Sequence, residues 1–366
     1  MKEKVKNPFT PSFGSIPLQL AGRGRIIQDI LDGLENGPGD PYRATIFVGA
    51  RGSGKTVLLA KIAEESSANG WISVNVNAAT DMLDEILIQI RDNAKEFLTP
   101  ESLSHITSIS AAGFGFSRNV KESKQKTSWR SEMTTILKEL NEKDAGLLIT
   151  IDEVDVKIDE LRTVITTFQH FVRERRDIAI IMAGLPPKVS DLLRNDSISF
   201  LRRAFQQHLE AVEESEVRFS MKKTIELAGR TIGNDALGIA VQNTKGFPFM
   251  IQLIGYQMWR QHPEEQTIST EDVEEGIILA RYDLERMIFE VTYKELSDKD
   301  IAFLAAMLDD TEFSSISDIS KRMKVTPKYA GIYRKRLIEQ GIITSSERGK
   351  VVFDLPMFRE YVQSKV

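Results

Sequence analysis

Residues Gly49-Ala50-Arg51-Gly52-Ser53-Gly54-Lys55-Thr56 match G-x-x-x-x-G-K-[ST] at every fixed position. An apolar, β-branched run, Ala44-Thr45-Ile46-Phe47-Val48, enters this loop, and a helical stretch from Val57 to Glu65 leaves it. Strand, glycine loop and helix in that order commit the chain to a βα unit of a parallel sheet. The glycines let backbone N–H groups wrap a polyphosphate. The helix that opens at Val57 aims its partial positive charge at the same anion. Lys55 reaches the outer phosphates, and the Thr56 hydroxyl is placed to ligate Mg²⁺. ATP with Mg²⁺ is the expected ligand. The alternative is a glycine-rich turn that binds nothing, and the flanking strand and helix argue against it.

Alternating short apolar runs and helical patterns continue to about residue 212. Trp71–Val76, Leu147–Ile151, Ile178–Ala183 and, more weakly, His208–Val212 read as strands; a helix capped by Asp81 runs to about Phe97, and others cover 128–141 and 160–175. Residues 100–128 are rich in Ser and Gly and read as an insertion, either a β-hairpin or a mobile loop. From about Glu213 the pattern is wholly helical, over 216–231, 234–243, 247–261 and 270–290. Three domains are expected: an α/β domain over 1–212, a helical domain over 213–295 and a third over 296–366. With 366 residues there is room for a core in each. There is no Cys, which excludes disulfides, thiolate metal sites and a cysteine nucleophile. The four histidines have no ligand spacing. No stretch approaches 18 apolar residues, so no membrane span is expected. The charged start Met1-Lys2-Glu3-Lys4 lacks an apolar h-region, so no signal peptide is expected and the cytoplasm is the default location.

Leu147-Leu148-Ile149-Thr150-Ile151-Asp152-Glu153 is a buried strand ending in two carboxylates. Asp152 is expected to hold Mg²⁺, directly or through water, and Glu153 to polarise the attacking water. The next strand ends in Ala183-Gly184, with no polar side chain to feel a γ-phosphate. Arg202-Arg203 precedes a strand; either arginine reaches the γ-phosphate on a neighbouring copy, or the two are ordinary surface residues. Gly22-Arg23 opens a helix, as a turn over the adenine or as a plain domain-leading turn. In Lys245-Gly246-Phe247-Pro248, Gly246 allows close approach and Pro248 suits a first helical turn, whether near a base or only as a cap.

Taken together, residues 15–290 resemble the AAA+ ATPases, in the branch of the origin-recognition replication initiators and related archaeal and signal-transduction ATPases. The G-R at 22–23, the loop at 49–56, Asp152-Glu153, Arg202-Arg203 and the G-x-P at 246–248 occur in that family's order. The resemblance implies an α/β fold in which a parallel-sheet P-loop AAA+ domain carries an α-helical lid. It also implies ATP hydrolysis, at a slow rate given the missing sensor, and a homo-oligomer in which Arg203, more than Arg202, serves a neighbour.

Residues 296–362 look like a C-terminal winged helix. Ser297 caps one helix, Ser314–Met323 forms a second, Thr326-Pro327 starts a third that Gly341 ends, and 342–344 with 351–353 make a wing. Between 321 and 350 nine basic residues stand against two acidic ones, net +7, in a chain whose overall net charge is −5. That patch suits double-stranded DNA: Lys328 and Tyr329 toward base edges, Arg348 and Lys350 on the wing toward phosphates, and Arg334 as a further contact, since Arg334, Lys335 and Arg336 cannot all face one groove. Three functions stay open: an ATP-dependent switch on DNA, a signalling ATPase whose winged helix contacts protein, and a nucleotide-binding regulator of a mobile element or of transcription.

Overall fold

The computed structural model describes residues 6–12, 14–112, 118–347 and 349–366. They fall into two compact units, one of Arg23–Gly49 with Lys55–Leu209, the other of Met1–Gly22, Ala50–Gly54 and Glu210–Val366.

The first unit runs α1 (Gly24–Asn36), β1 (Ala44–Val48), α2 (Lys55–Ala68), β2 (Ile72–Asn77), α3 (Met82–Asn93), α4 (Pro100–Ala112), α5 (Arg118–Asn141), β3 (Leu147–Asp152), α6 (Asp159–Arg173), β4 (Ile178–Gly184), α7 (Pro186–Arg194) and β5 (Phe205–His208). Its five strands lie in the order β2-β3-β4-β1-β5, every neighbouring pair parallel. The sheet is the expected α/β core. β3 and β4 are buried along their whole length, as continuous apolar runs demand of strands covered on both faces. Because β4 lies between β1 and β3, the ends of those three strands meet at one edge: Val48 pairs with Gly184, and Ile151 with Met182. The fifth strand starts three residues earlier than the sequence pattern suggests, since Phe205 pairs with Thr45 and packs on Tyr42, ring centroids 4.7 Å apart.

Two local expectations fail. Residues 100–112 and 118–141 are helical, not a hairpin or loop. Pro100 opens the first of these helices, the Thr99 hydroxyl accepts from the Ser102 N–H at 3.3 Å, and Glu139 accepts from the Thr99 N–H, the Thr99 hydroxyl and the Ser102 hydroxyl at 2.8, 3.0 and 2.7 Å. A carboxylate from the partner helix thus anchors a start that Ser-rich composition disguises. The helix after Asp81 ends at Asn93, short of Phe97, and the Asp81 side chain makes no cap. The orphan Leu83 N–H is taken by Glu160 of α6 at 3.0 Å.

β2 is an edge of the sheet, and α3 covers its outer backbone. Gln89 accepts from the Asn75 N–H at 2.8 Å and donates to the Asn75 carbonyl at 2.7 Å, while Asn93 donates to the Ser73 carbonyl at 2.9 Å.

The second unit holds α8 (Glu214–Leu227), β6 (Thr231–Ile232), α9 (Asn234–Thr244), α10 (Pro248–Gln261), β7 (Thr267–Ile268) and α11 (Thr270–Leu284), which passes through one π-turn, Glu285–Phe289, into α12 (Glu290–Lys294). The N-terminal segment belongs here. Phe9 is buried in a notch that Gly255 leaves in α10, and an added Cβ would lie 2.2 Å from its ring. Then come α13 (Asp298–Met307), β8 (Ser314–Ser315), α14 (Ile316–Arg322), α15 (Pro327–Glu339), β9 (Ile343–Glu347), β10 (Lys350–Phe353) and α16 (Phe358–Lys365). The three short strands form an antiparallel sheet in the order β8-β10-β9. Ser297 caps α13 through a capping box with Asp300, and Thr326 caps α15. Among the described residues no helix is long and apolar enough to cross a membrane.

Candidate nucleotide site

The loop between β1 and α2 has the conformation its glycines were expected to allow. Gly52 and Gly54 sit at φ +76° and +87°. A Cβ on Gly52 would lie 2.4 Å from Phe247 Cζ, so the glycine is required by a close approach as well as by its backbone angle. Pro248, in the first turn of α10, lies 3.8 Å from where a Cβ on Gly54 would stand. The 246–248 motif therefore meets the loop through Phe247 and Pro248. Gly246 itself has φ +68° and is pressed against the Val212 backbone, whose N–H donates to the Gly246 carbonyl at 2.8 Å. Phe247 is buried, a core residue and not an open platform for a base.

Lys55 Nζ donates to the Gly49 carbonyl at 2.8 Å, folding the ammonium back toward the end of β1. The Thr56 hydroxyl donates to Asp152 Oδ2 at 2.5 Å, joining the first turn of α2 to the end of β3. Asp152 Oδ1 accepts from the Glu153 N–H at 2.8 Å. Asp152 is buried; Glu153 is exposed and held at φ +54°, a strained angle for a residue with a Cβ. At the end of β4, Ala183 and Gly184 contribute backbone only: the Ala183 carbonyl accepts from Val154 N–H at 3.0 Å and the Gly184 carbonyl from Gly49 N–H at 3.4 Å.

These donors fit a nucleoside triphosphate with Mg²⁺. Ser53 is buried within the loop with a hydroxyl that has no hydrogen-bond partner. Thr56 and Asp152 present a hydroxyl and a carboxylate together, the oxygen pair a hard cation takes. Arg51 is exposed, and Val57 lies in the first turn of α2.

Other expected residues lie elsewhere. Gly22, at φ +65°, has its open side against Val212, and Arg23 is half-buried, with burial pushing its guanidinium pKa down. Arg202 is tied to its own chain, donating to the Leu193 carbonyl at 2.8 Å and to Asp196 at 3.2 Å. Arg203 is exposed and, among the described residues, makes no side-chain bond. It precedes β5, whose first residue pairs with Thr45, whereas the loop follows Val48. Arg203 thus lies before the start of β5, whose first residue stands roughly 10 Å along the strand direction from the level of Val48, at the end of the sheet opposite its own loop.

Sequence reading missed two carboxylates that follow the acid pair in the chain. Asp155 accepts from Lys188 Nζ at 2.6 Å; burial acts upward on it, but Lys188 and the Lys157 N–H outweigh that and hold it below the ordinary range. Glu160 is pushed up to about 7, by burial first and then by Asp84 and Asp81, against the bond from Leu83. Position after Asp152-Glu153 was the available signal for both.

In the C-terminal segment the +7 patch is less free than its composition suggests. Arg322 bonds Asp310 at 2.5 Å and lies 3.3 Å from Asp309, and its bond brings Asp310 down to about 2. Arg336 pairs with the fully buried Asp300, Lys321 with Asp318 at 3.1 Å, and Lys350 with Glu347 at 2.9 Å. Arg334 donates to the Ser345 hydroxyl at 2.8 Å. Lys324 and Lys328 are exposed with no partner among the described residues, and Arg348 lies outside them. Tyr329 and Ile332 are exposed on α15.

The structure is similar to that of the Walker-type ATPase paby2304 of Pyrococcus abyssi, at 13% identity and TM-score 0.66, over 94% of this chain and 96% of that one. It is also similar to the Aeropyrum pernix ORC2 protein, in ADPNP-ADP complexes at 15% identity and TM-score 0.53, over 97% of each chain. In the ADP form the figures are 14% and 0.55, over 97% of this chain and 96% of that one. This chain has the AAA+ P-loop fold. Within that AAA+ fold, the five-stranded parallel sheet is the part that carries Lys55, Thr56 and Asp152. A family described as "Domain of unknown function (DUF8462)" matches residues 286–362. Among curated proteins none matches this chain.

Proposed function

We propose that this chain binds ATP with Mg²⁺, hydrolyses it, and uses its nucleotide state to govern a contact made by its C-terminal segment, in the first place with duplex DNA. The observation that carries the reading is the 2.5 Å bond from Thr56 to Asp152 at the foot of a loop closed by Lys55. Lys55 and the loop amides hold the phosphates; Thr56 and Asp152 hold Mg²⁺, which when bound neutralises phosphate charge. Glu153, exposed beside them, orients water and accepts its proton. Arg203 has no task at its own loop and is free to serve a second copy. The domains proposed are the α/β domain to residue 212, a helical lid over 213–295 and a winged helix over 296–366. The similar Aeropyrum pernix ORC2 structures hold ADPNP and ADP, which supports a nucleotide here.

Titration with a fluorescent ATP analogue tests the core of this reading. Lys55→Ala should weaken binding at least tenfold, since a charge-assisted contact is worth about 1.5–3 kcal/mol; equal affinity would sink it. Glu153→Gln should bind normally and hydrolyse on the order of 10²–10⁴ more slowly. A protein-contacting signalling ATPase is the second reading. The paired arginines and the exposed Ile332 of α15 favour it. Binding of duplex DNA with and without ATP separates the two.

A further inference from the structure

The turn after the acid pair is held by β4 and α7. Glu153 keeps φ +54°, an angle that a residue with a Cβ retains only when its surroundings impose it. Three ties do so. The Val154 N–H donates to the Ala183 carbonyl at 3.0 Å. The Val154 side chain fills a notch at Gly184, where an added Cβ would lie 2.6 Å from Val154 Cγ2. Lys188, in the first turn of α7, bonds Asp155 Oδ2 at 2.6 Å, and the other Asp155 oxygen accepts from the Lys157 N–H at 3.0 Å. The first two ties are neutral. The third is ionic and three-quarters withdrawn from solvent, with side-chain exposures of 28% and 25%. It stands two residues from Glu153, at the end of a strand whose own last residues, Ala183 and Gly184, carry no polar side chain.

We propose that Lys188, acting through Asp155, is a positioning residue that fixes the direction of the Glu153 carboxylate. The end of β4 then governs turnover through a salt bridge in the following helix. This rests on the reading of Glu153 as the group that orients water. Removing Lys188 frees Asp155, lets the turn relax toward an ordinary φ and swings the carboxylate away, while the phosphate-binding loop, on the other flank of β4, is untouched.

The test uses the full chain with Lys188→Ala, Lys188→Arg and Glu153→Gln, alone and combined. In Lys188→Ala the affinity for a fluorescent ATP analogue with Mg²⁺ should stay within about twofold of wild type while kcat falls about ten- to a hundredfold, the scale of a small misplacement. Lys188→Arg, which keeps the charge and the fold, should recover most of the loss. Lys188→Ala added to Glu153→Gln should slow it no further, whereas a merely structural lysine would slow both backgrounds alike. Without nucleotide, the Val154 amide should exchange its hydrogen faster in Lys188→Ala, with the amides of β3 and β4 unchanged. Unchanged kcat, equal slowing in the Glu153→Gln background, or unchanged Val154 protection would each overturn the positioning role. If Glu153→Gln hydrolyses at the wild-type rate, the assignment of Glu153 falls, and this role with it.

Discussion

Gly52→Ala tests whether the phosphate-binding loop is seated on Phe247. The added Cβ would lie 2.4 Å from Phe247 Cζ and 2.6 Å from Cε2, about 1 Å inside ordinary contact. The ring is buried and meets Phe249 on another side, at a centroid distance of 6.4 Å, so it cannot simply swing out. The backbone adds to the cost, because Gly52 has φ +76°. A side chain at a left-handed position costs about 1–2 kcal/mol. Overpacking costs about 1–3 kcal/mol more. We expect Gly52→Ala to lose about 3 kcal/mol and to lower Tm by roughly 6–12 °C. Phe247→Ala alone, by leaving a cavity, should cost about 3–5 kcal/mol. In the double variant the clash is gone and only the backbone term of Gly52→Ala remains. It should therefore cost about 1–3 kcal/mol less than the sum of the singles. Thermal unfolding of the four proteins without nucleotide measures this cycle. Costs that add within about 0.5 kcal/mol, or a Gly52→Ala protein with wild-type Tm, would refute the seating.

Arg336→Ala should destabilise by about 1–3 kcal/mol, because Asp300 is fully buried and its Oδ1 has no partner. Lys335→Ala, which breaks an exposed pair 3.8 Å long with Glu339, should cost under about 0.5 kcal/mol; equal losses in chemical denaturation would contradict the contrast. If the C-terminal segment binds duplex DNA, Lys328→Ala should lower the slope of log affinity against log salt by about 0.9, and an unchanged slope removes Lys328 from the contact. His262 bonds Asp272 at 2.5 Å, and that bond raises the imidazole pKa from 6.5. The charged pair is therefore fully formed below pH 6.5 and fades as pH climbs through the raised value. His262→Gln should accordingly lower Tm more at pH 6 than at pH 9; an equal loss at both argues against the ion pair.

The sheet and its loop were legible because their signals are local. Val48 to Thr56 and Leu147 to Glu153 each carry strand, turn and functional group within a few residues, and both lie where their pattern puts them. What escaped depends on partners distant in the chain. The start of α4 is fixed by Glu139, and the Leu83 N–H is capped by Glu160. No window around residues 81 or 100 contains those carboxylates. The same holds for the basic patch. A count over 321–350 omits Asp300, Asp309, Asp310 and Asp318, the acids that bond Arg336, Arg322 and Lys321. The dipeptide itself does not show that Arg202 is tied to the carbonyls of Leu193 and Arg194 and to the side chain of Asp196.

Gln89 and Asn93 give β2 the hydrogen bonds that a neighbouring strand would otherwise supply. A peptide offered to that side finds the Ser73 carbonyl and both Asn75 groups already taken. Growth of the sheet into a neighbouring molecule, by strand exchange or by amyloid-like stacking, is closed there. The safeguard is carried by two amide side chains and not by any charge on the strand, so it is insensitive to salt and pH. It is also easily removed: Gln89→Leu with Asn93→Leu keeps the helix-forming tendency of α3 and should make self-association rise with time and concentration relative to the wild-type chain, a liability for anyone trimming or grafting this domain.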